Sequence, residues 1–315
     1  MSTLSSRLAP PPTAHTAYDY AHVDVFAERP LEGNQLAIFS DARGLSDADM
    51  QAIARETNLS ETTFIFPREP LIEHKSGVRV RIFTTVEELP FAGHPTLGTA
   101  SWLYWNHPWL AAAEEIVLDL NVGPIPVRFT PSKPGEQGIF GRMRQNDPTF
   151  SDTQNHAELA RVLQIPLDDL DTSLPVQTVS TGNPFCIVPV RSLAAAARIT
   201  VPQSAEVREY LARHKARFFY FLTPAKTDSG ADWHARMIFY GSEDPATGSA
   251  AGPAIAWLVK HGAVESDRPI VIEQGVEMLR PSRLFVSARR DGQKVSGVFV
   301  GGRTISVAMG RLFLP

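Results

Sequence analysis

The run Gly241-Ser242-Glu243-Asp244-Pro245-Ala246-Thr247-Gly248-Ser249-Ala250-Ala251-Gly252 carries the reading of the fold. It gathers acids, hydroxyls and small residues, and an apolar segment, residues 254–259, follows it. It also has an echo. Displaced by 155 positions without a gap, residues 243–258 lie over residues 88–103 with five identities in 16. Glu243 meets Glu88, Pro245 meets Pro90, Gly248 meets Gly93, Trp257 meets Trp102 and Leu258 meets Leu103. A strand-like run precedes each copy, at residues 78–84 and 235–240. The pattern implies two related lobes with a site between them.

The whole chain fits that reading. Its 315 residues are long for one core and natural for two lobes. Composition is ordinary, with 43% hydrophobic and 20% charged residues and a net charge of −4. No basic block or basic-aromatic stripe points to nucleic acid. No apolar run nears the roughly 20 residues that span a bilayer. Residues 1–16, with Pro10-Pro11-Pro12 and Arg7 as the sole Lys or Arg, read as a flexible leader, neither signal nor transit peptide. The single cysteine, Cys186, excludes an intrachain disulfide and a Cys-based zinc cluster. A cytoplasmic protein is the default expectation.

Strands dominate the pattern. Residues 20–26, 35–40, 62–66 and 78–84 read as strands in the first half, with residues 116–120 and 125–129 around an Asn121-Val122-Gly123 turn. Ser46 and Asp49 form a capping box for a helix ending near Asn58. Residues 71–77 read as a hairpin or loop, and residues 135–141 are weakly patterned. Asn, Asp, Pro and Ser concentrate at residues 145–152, which places a boundary between lobes 17–148 and 149–303. The second lobe shows helices near residues 156–163 and 207–214. Its strands are residues 176–180, 185–190, 218–222, 234–240, 270–273, 283–288 and 295–300, with a last strand at 304–314. One long apolar helix follows each copy of the motif. This is an α+β pattern, without the βαβ alternation or glycine fingerprints of a dinucleotide or P-loop fold.

The motif offers anion-binding chemistry. A helix starting near Gly248 presents free N–H groups and a positive dipole end, and Gly93-His94 offers the same from the other lobe. The plain alternative is a Gly/Ala packing site between helix and sheet. Pro95 and Pro253 suit a first turn and not a helix interior. Asp244 is either a helix cap or an acid/base or ligand anchor. Glu61 stands between a helix end and a buried-looking strand, where burial raises a carboxylate's pKa toward neutrality; a solvated boundary charge is the alternative. His94 reads as acid/base, core residue or, without a second His at metal spacing, a weak metal ligand. Ser249 lacks a nucleophile-elbow context. Cys186 lies in a hydrophobic strand and reads as buried and apolar.

Several blocks resemble those of the phenazine-biosynthesis isomerase family (PhzF-like proteins). They are Asn58-Leu59-Ser60-Glu61-Thr62-Thr63-Phe64, Leu89-Pro90-Phe91-Ala92-Gly93-His94-Pro95-Thr96 and Glu243-Asp244-Pro245-Ala246-Thr247-Gly248-Ser249-Ala250. Val23-Asp24-Val25-Phe26, Gly33-Asn34, the run from Ser180 to Phe185 and the run from Gln274 to Ser282 fall in the same order. The resemblance spans nearly the whole chain. It implies the diaminopimelate-epimerase-like fold: two pseudo-symmetric lobes, each a mixed or antiparallel sheet around a central helix, with residues 304–315 crossing back to the first lobe. It implies an isomerase that shifts a proton on a small carboxylate-bearing substrate, the model reaction being isomerisation of trans-2,3-dihydro-3-hydroxyanthranilate. Neither metal nor organic cofactor is expected, and a homodimer is. The roles it carries over are acid/base for Glu61 and substrate handling for His94, Asp244 and Ser249, with Gly93 and Gly248 as backbone neighbours.

Two features depart from relatives. No cysteine stands at residues 92–94 or 245–247, so the two-cysteine chemistry of related racemases is not expected. Leu279 stands where many relatives have Gly, and Tyr240 precedes the second motif. A non-catalytic binding protein of the same fold is the rival reading. A cofactorless hydrolase or lyase is a weaker third.

Overall fold

The computed structural model describes residues 16–225, 229–239 and 241–314. Most of its strands belong to one continuous sheet. Thr16–Val25, Asn34–Phe39, Glu61–Phe66, Val78–Phe83, Glu115–Leu120, Gly123–Thr130, Ile139–Arg144 and Lys294–Leu314 lie side by side in that order. Lys294–Leu314 then pairs back onto the first strand, from Thr16 against Leu314 to Val25 against Thr304. These strands therefore close into a barrel, which leaves no unpaired edge among them. The helix Gly93–Asn106 packs against the barrel strands.

From Lys294–Leu314 the sheet continues the other way. It passes through Ser282–Asp291, Ile270–Gln274, Trp233–Arg236, Phe218–Pro224, Pro184–Pro189 and Val176–Ser180 to Thr149–Gln154. The helix Gly248–Lys260 packs against Ser282–Asp291, Lys294–Leu314 and Pro184–Pro189. Every residue of this helix except Ser249 and Lys260 is buried. An all-round apolar helix is stable only when enclosed, and here the sheet encloses it. Cys186 is fully buried, as its hydrophobic strand implies. No helix among the described residues is long and apolar enough to cross a membrane.

The two halves of the long strand come out as one because Gly301 and Gly302 let it pass through a crowded centre. A Cβ on Gly302 would stand 2.4 Å from the Phe26 ring, and one on Gly301 would stand 2.7 Å from the Gly141 carbonyl oxygen. The glycines that looked like a break between residues 295–300 and 304–314 are thus the condition for continuity.

Other corrections are local. Residues 71–77 belong to a short helix, Pro70–Ser76, with Pro at its first turn and Glu73 turned inward. Pro is pre-organised for that position, and the segment is too short for its period to show. Within the weakly patterned residues 135–141 begins the strand Ile139–Arg144. Residues 234–240 do not form one strand: Trp233–Arg236 stays in the main sheet, and Ile238–Phe239 pairs with Ser242–Glu243 instead. A helix, Leu193–Arg198, lies where no helix is expected from sequence. Pro95 falls in the first turn of its helix, as its chemistry favours, whereas Pro253 lies inside its helix. Its missing N–H leaves the Ser249 carbonyl without an intrahelical donor. The remarks on Tyr240 and on the leader, apart from Thr16, fall outside the described residues.

Candidate active site

The two central helices begin at Gly93 and Gly248, which are the aligned glycines of the 155-residue echo. Their first turns touch. A Cβ on Gly93 would lie 3.0 Å from the Ser249 amide nitrogen and 3.2 Å from the Gly248 carbonyl carbon. The other face of Gly248 rests on Phe26, whose ring would be 3.0 Å from an added Cβ. Phe26 is a bulky buried residue held at φ 62°, a conformation that persists only under surrounding constraint. Neither helix has a side-chain cap at its start. The leading N–H groups of two helices, with their positive dipole ends, thus converge on one place.

The approach to each helix is built alike. Arg81 forks onto Glu88 at 2.8 and 2.5 Å, and Arg236 forks onto Glu243 at 2.8 and 2.7 Å. Both members of the second pair lie 155 positions beyond those of the first. Phe83 pairs with Glu88 and Ile238 pairs with Glu243 at the same offset. The echo visible in sequence therefore extends back to the two arginines.

Around this junction the polar side chains differ. Glu61 begins the strand Glu61–Phe66, just past Asn58, whose left-handed backbone ends the preceding helix. Its side chain is 16% exposed, and one of its oxygens, Oε2, lies 3.5 Å from His94 Nδ1. Burial first, and the Asp244 carboxylate second, push Glu61 up to about 8. His94 is pushed down to about 3 by burial. It is therefore neutral near pH 7. Its Nε2 lies 3.3 Å from the Gln35 carbonyl oxygen, which accepts only. That contact places the ring proton on Nε2 and leaves the Nδ1 lone pair toward Glu61. A protonated Glu61 beside a neutral, accepting His94 is a consistent pair.

Asp244 is not the cap of its helix; Thr247 occupies that position. One Asp244 oxygen accepts from Asn34 at 2.8 Å and Ser60 at 3.4 Å, the other from the Thr247 hydroxyl at 2.5 Å. Burial pushes Asp244 up to about 6 against these three hydrogen bonds. Near neutral pH it is ionised while Glu61 keeps its proton. Two carboxylates set apart by their surroundings are the usual basis for dividing acid and base work.

Asn34 ties the two sides together. Its Nδ2 serves Asp244, the Ala246 carbonyl at 2.9 Å and, at 3.4 Å, His94 Nδ1. Asn34 is held by the preceding turn, where Arg280 binds the Gly33 and Glu32 carbonyls at 2.9 and 2.7 Å and Asp24 at 2.8 Å. Gln274 donates to the Asp244 carbonyl at 2.7 Å and is itself bonded by Tyr220 at 3.0 Å. Gln145 donates to the Gly248 carbonyl at 2.9 Å, and Thr181 fixes Gln145 at 2.6 Å.

Of the residues singled out from sequence, Glu61, His94 and Asp244 come together through Asn34, and Gly93, Gly248 and Ser249 form the adjoining floor. Ser249 is half-buried at the first turn. Asn34, Ser60, Thr247, Gln274 and Gln145 were not marked as site residues. The first four lie inside the recognised blocks, where charge drew attention away from neutral amides and hydroxyls; Gln145 carries no sequence signal. Leu279 is 87% exposed at φ 58°, so it projects to solvent from a turn that glycine would enter without strain. Among the described residues no group of three or more His, Cys, Asp or Glu is arranged to hold a metal ion.

The chain is similar to known proteins over most of its length. The family model described as "Phenazine biosynthesis-like protein" matches residues 23–310. Trans-2,3-dihydro-3-hydroxyanthranilate isomerase of Pseudomonas fluorescens is 35% identical over 304 residues, covering 94% of this chain and 100% of that protein. A Bacillus anthracis phenazine biosynthesis protein of the PhzF family superposes with a TM-score of 0.82 at 27% identity, over 95% of this chain and 100% of that one. A predicted epimerase of Pseudomonas aeruginosa superposes with a TM-score of 0.77 at 34% identity, over 94% and 99%.

Proposed function

The chain belongs to the phenazine biosynthesis-like family and is a PhzF-like isomerase, and on that premise we propose how it works and on what. The substrate is a small molecule bearing a carboxylate, of the class typified by trans-2,3-dihydro-3-hydroxyanthranilate. Its carboxylate sits against the converging N-termini at Gly93, Gly248 and Ser249. Glu61 takes a proton from an acidified C–H and returns it to a neighbouring atom. His94, with its Nδ1 lone pair toward Glu61, steadies the proton between the two transfers. Asp244, ionised and held by Asn34, Ser60 and Thr247, orients the substrate and keeps the Glu61 proton affinity high. The observation that carries this reading is Glu61 at about 8 beside a neutral His94 at 3.5 Å. At neutral pH about a tenth of Glu61 is then ionised and ready to act as base, and the rest is ready as acid.

Two-cysteine racemisation is excluded by the single, buried Cys186. The same proposal includes two pseudo-symmetric lobes, residues 17–148 and 149–303, with residues 304–315 returning to the first, and a homodimer in the cytoplasm. The matched Arg–Glu forks and helix starts support the pseudo-symmetry.

The test is deuterium uptake from D₂O into trans-2,3-dihydro-3-hydroxyanthranilate or a close carboxylate analogue. The wild-type chain is expected to incorporate solvent deuterium with turnover. Turnover without exchange under any condition, in a chain that binds the compound, would count against a solvent-exchanging Glu61.

A further inference from the structure

We propose that Arg280, given the role assigned above to Asp244, is a positioning residue for the reaction: it fastens the turn that presents Asn34 and so keeps Asn34 on the Asp244 carboxylate. The turn between Thr16–Val25 and Asn34–Phe39 is strained. Phe26, Leu31 and Gly33 have left-handed backbones, at φ 62°, 73° and 70°. Phe and Leu persist there only where the surroundings impose it. Arg280 supplies part of that constraint. Its Nε–H donates to the Gly33 carbonyl, which belongs to the peptide unit of Asn34 itself. Its Nη2 donates to the Glu32 carbonyl and to Asp24 Oδ1. The other Asp24 oxygen accepts the Leu31 N–H at 2.7 Å, so the ion pair ties both ends of the turn. The Asp24 side chain is 2% exposed. Two backbone bonds run alongside, from the Gly33 N–H to the Pro281 carbonyl at 3.0 Å and from the Arg283 N–H to the Phe26 carbonyl at 2.8 Å.

The loop that carries Arg280 also grips the other partner. Gln274 donates to the Asp244 carbonyl, and the Ser282 hydroxyl donates to the Pro245 carbonyl at 2.7 Å. Between them Gly275 approaches so closely that a Cβ there would stand 2.6 Å from the Pro245 carbonyl oxygen. The Arg280 N–H closes the loop on the Gly275 carbonyl at 3.0 Å. Residues 274–282 thus rest on the Asp244–Pro245 backbone at one side and, through Arg280, on the Asn34 turn at the other. This loop sets the 2.8 Å contact between Asn34 and Asp244. Asp244 is also faced by the Glu61 and Glu243 carboxyls, by Tyr220 and, through Asn34, by neutral His94. A negative charge on either glutamate opposes its ionisation. Weakening the Asn34 donor therefore raises the proton affinity of Asp244 and narrows its difference from Glu61.

The test variant is Arg280→Lys. Lysine keeps a cation for Asp24 but puts a carbon where the arginine Nε stood, so the Gly33 carbonyl loses its donor. Infrared spectra follow the Asp244 carboxyl without substrate, in a Glu61→Gln background that removes the second carboxyl band. Arg280→Lys should raise the Asp244 midpoint from about 6 by about one pH unit. With Glu61 present it should lower kcat by about 10–10²-fold and leave KM little changed. Asn34→Ala should raise the midpoint at least as far, and adding Arg280→Lys to it should change neither readout further. Leu159→Ala is the control for stability alone. It lies in the apolar cluster that packs Phe219 and Phe221, on the opposite face of the sheet from Tyr220. It should lower the melting temperature and leave both kcat and the Asp244 midpoint unchanged. A wild-type chain that fails to turn over the dihydroanthranilate would count against the proposed substrate, while a moved Asp244 midpoint would still support Arg280. An Asp244 midpoint unmoved by Arg280→Lys, the same shift in Leu159→Ala, or an undiminished effect in the Asn34→Ala background would each overturn the assignment.

Discussion

The starts of the two central helices are the same scaffold carrying different chemistry. Each is reached through an Arg–Glu fork, a two-residue strand, a Pro and a Gly, at a constant offset of 155. Past that point they diverge. His94 follows the first glycine and Ser249 the second; Leu89 stands where the second copy has Asp244. The first start borrows its carboxylate from another strand, at Glu61. The result is one carboxylate kept protonated beside a neutral histidine, and one kept ionised by three donors. A reaction that moves a proton in one direction needs that inequality, whereas a symmetric racemase does not. The scaffold sets the geometry twice, and a few substitutions on it set the two proton affinities.

The largest effect should come from removing the proposed proton carrier. Glu61→Gln is expected to lower turnover and deuterium exchange by about 10²–10⁴-fold while circular dichroism stays unchanged. Retention of wild-type turnover would remove Glu61 from the chemistry. Asp244→Asn should cost about 10–10²-fold. It should also move the acidic limb of the kcat/KM profile below about 8, because the like charge that raises Glu61 is gone. An unmoved limb would mean that burial alone sets the Glu61 value.

The forks test the shared half of the comparison. Arg236 is the more deeply buried of the two and also binds the Ala196 and Ile199 carbonyls at 2.6 and 3.1 Å. Arg236→Met should therefore destabilise by about 3–5 kcal/mol. Arg81→Met, whose further partner Asp47 is exposed, should cost about 1–2 kcal/mol. Equal shifts in urea midpoint would show that the forks are equivalent in energy as well as in geometry.

The pH dependence of stability tests the same inequality. Glu61 binds its proton more tightly folded than unfolded, so wild-type stability falls as pH rises from about 4.5 toward 8. Glu61→Gln removes that loss. Its melting temperature should match wild type near pH 4 and exceed it near pH 8; the opposite ordering would contradict a raised Glu61.

Much of this was legible in the sequence where the cause is local. The Ser46–Asp49 capping box forms as its spacing dictates, and both central helices start at glycines that the 155-residue echo aligns, although the prolines beside them blur those starts in the sequence. Extending the comparison seven positions back would also have exposed Arg81 and Arg236. What stayed hidden depends on contacts across the chain. Asn34 meets Asp244 and His94 over separations of 210 and 60 residues, and a lone Asn after Gly reads simply as a turn. The helix Pro70–Ser76 is too short for periodicity, and the passage of Lys294–Leu314 through the centre reads as a gap because its enabling residues are glycines.

The central claim is that Glu61 holds a proton at neutral pH, and infrared spectroscopy of the carboxylic acid C=O stretch tests it without any substrate. Subtracting the Glu61→Gln spectrum from wild type isolates the Glu61 band from that of Asp244. The account predicts a protonated-carboxyl band at pH 7 that disappears with a midpoint near 8. A Glu61-dependent band already lost at pH 5, or none at all, would contradict it.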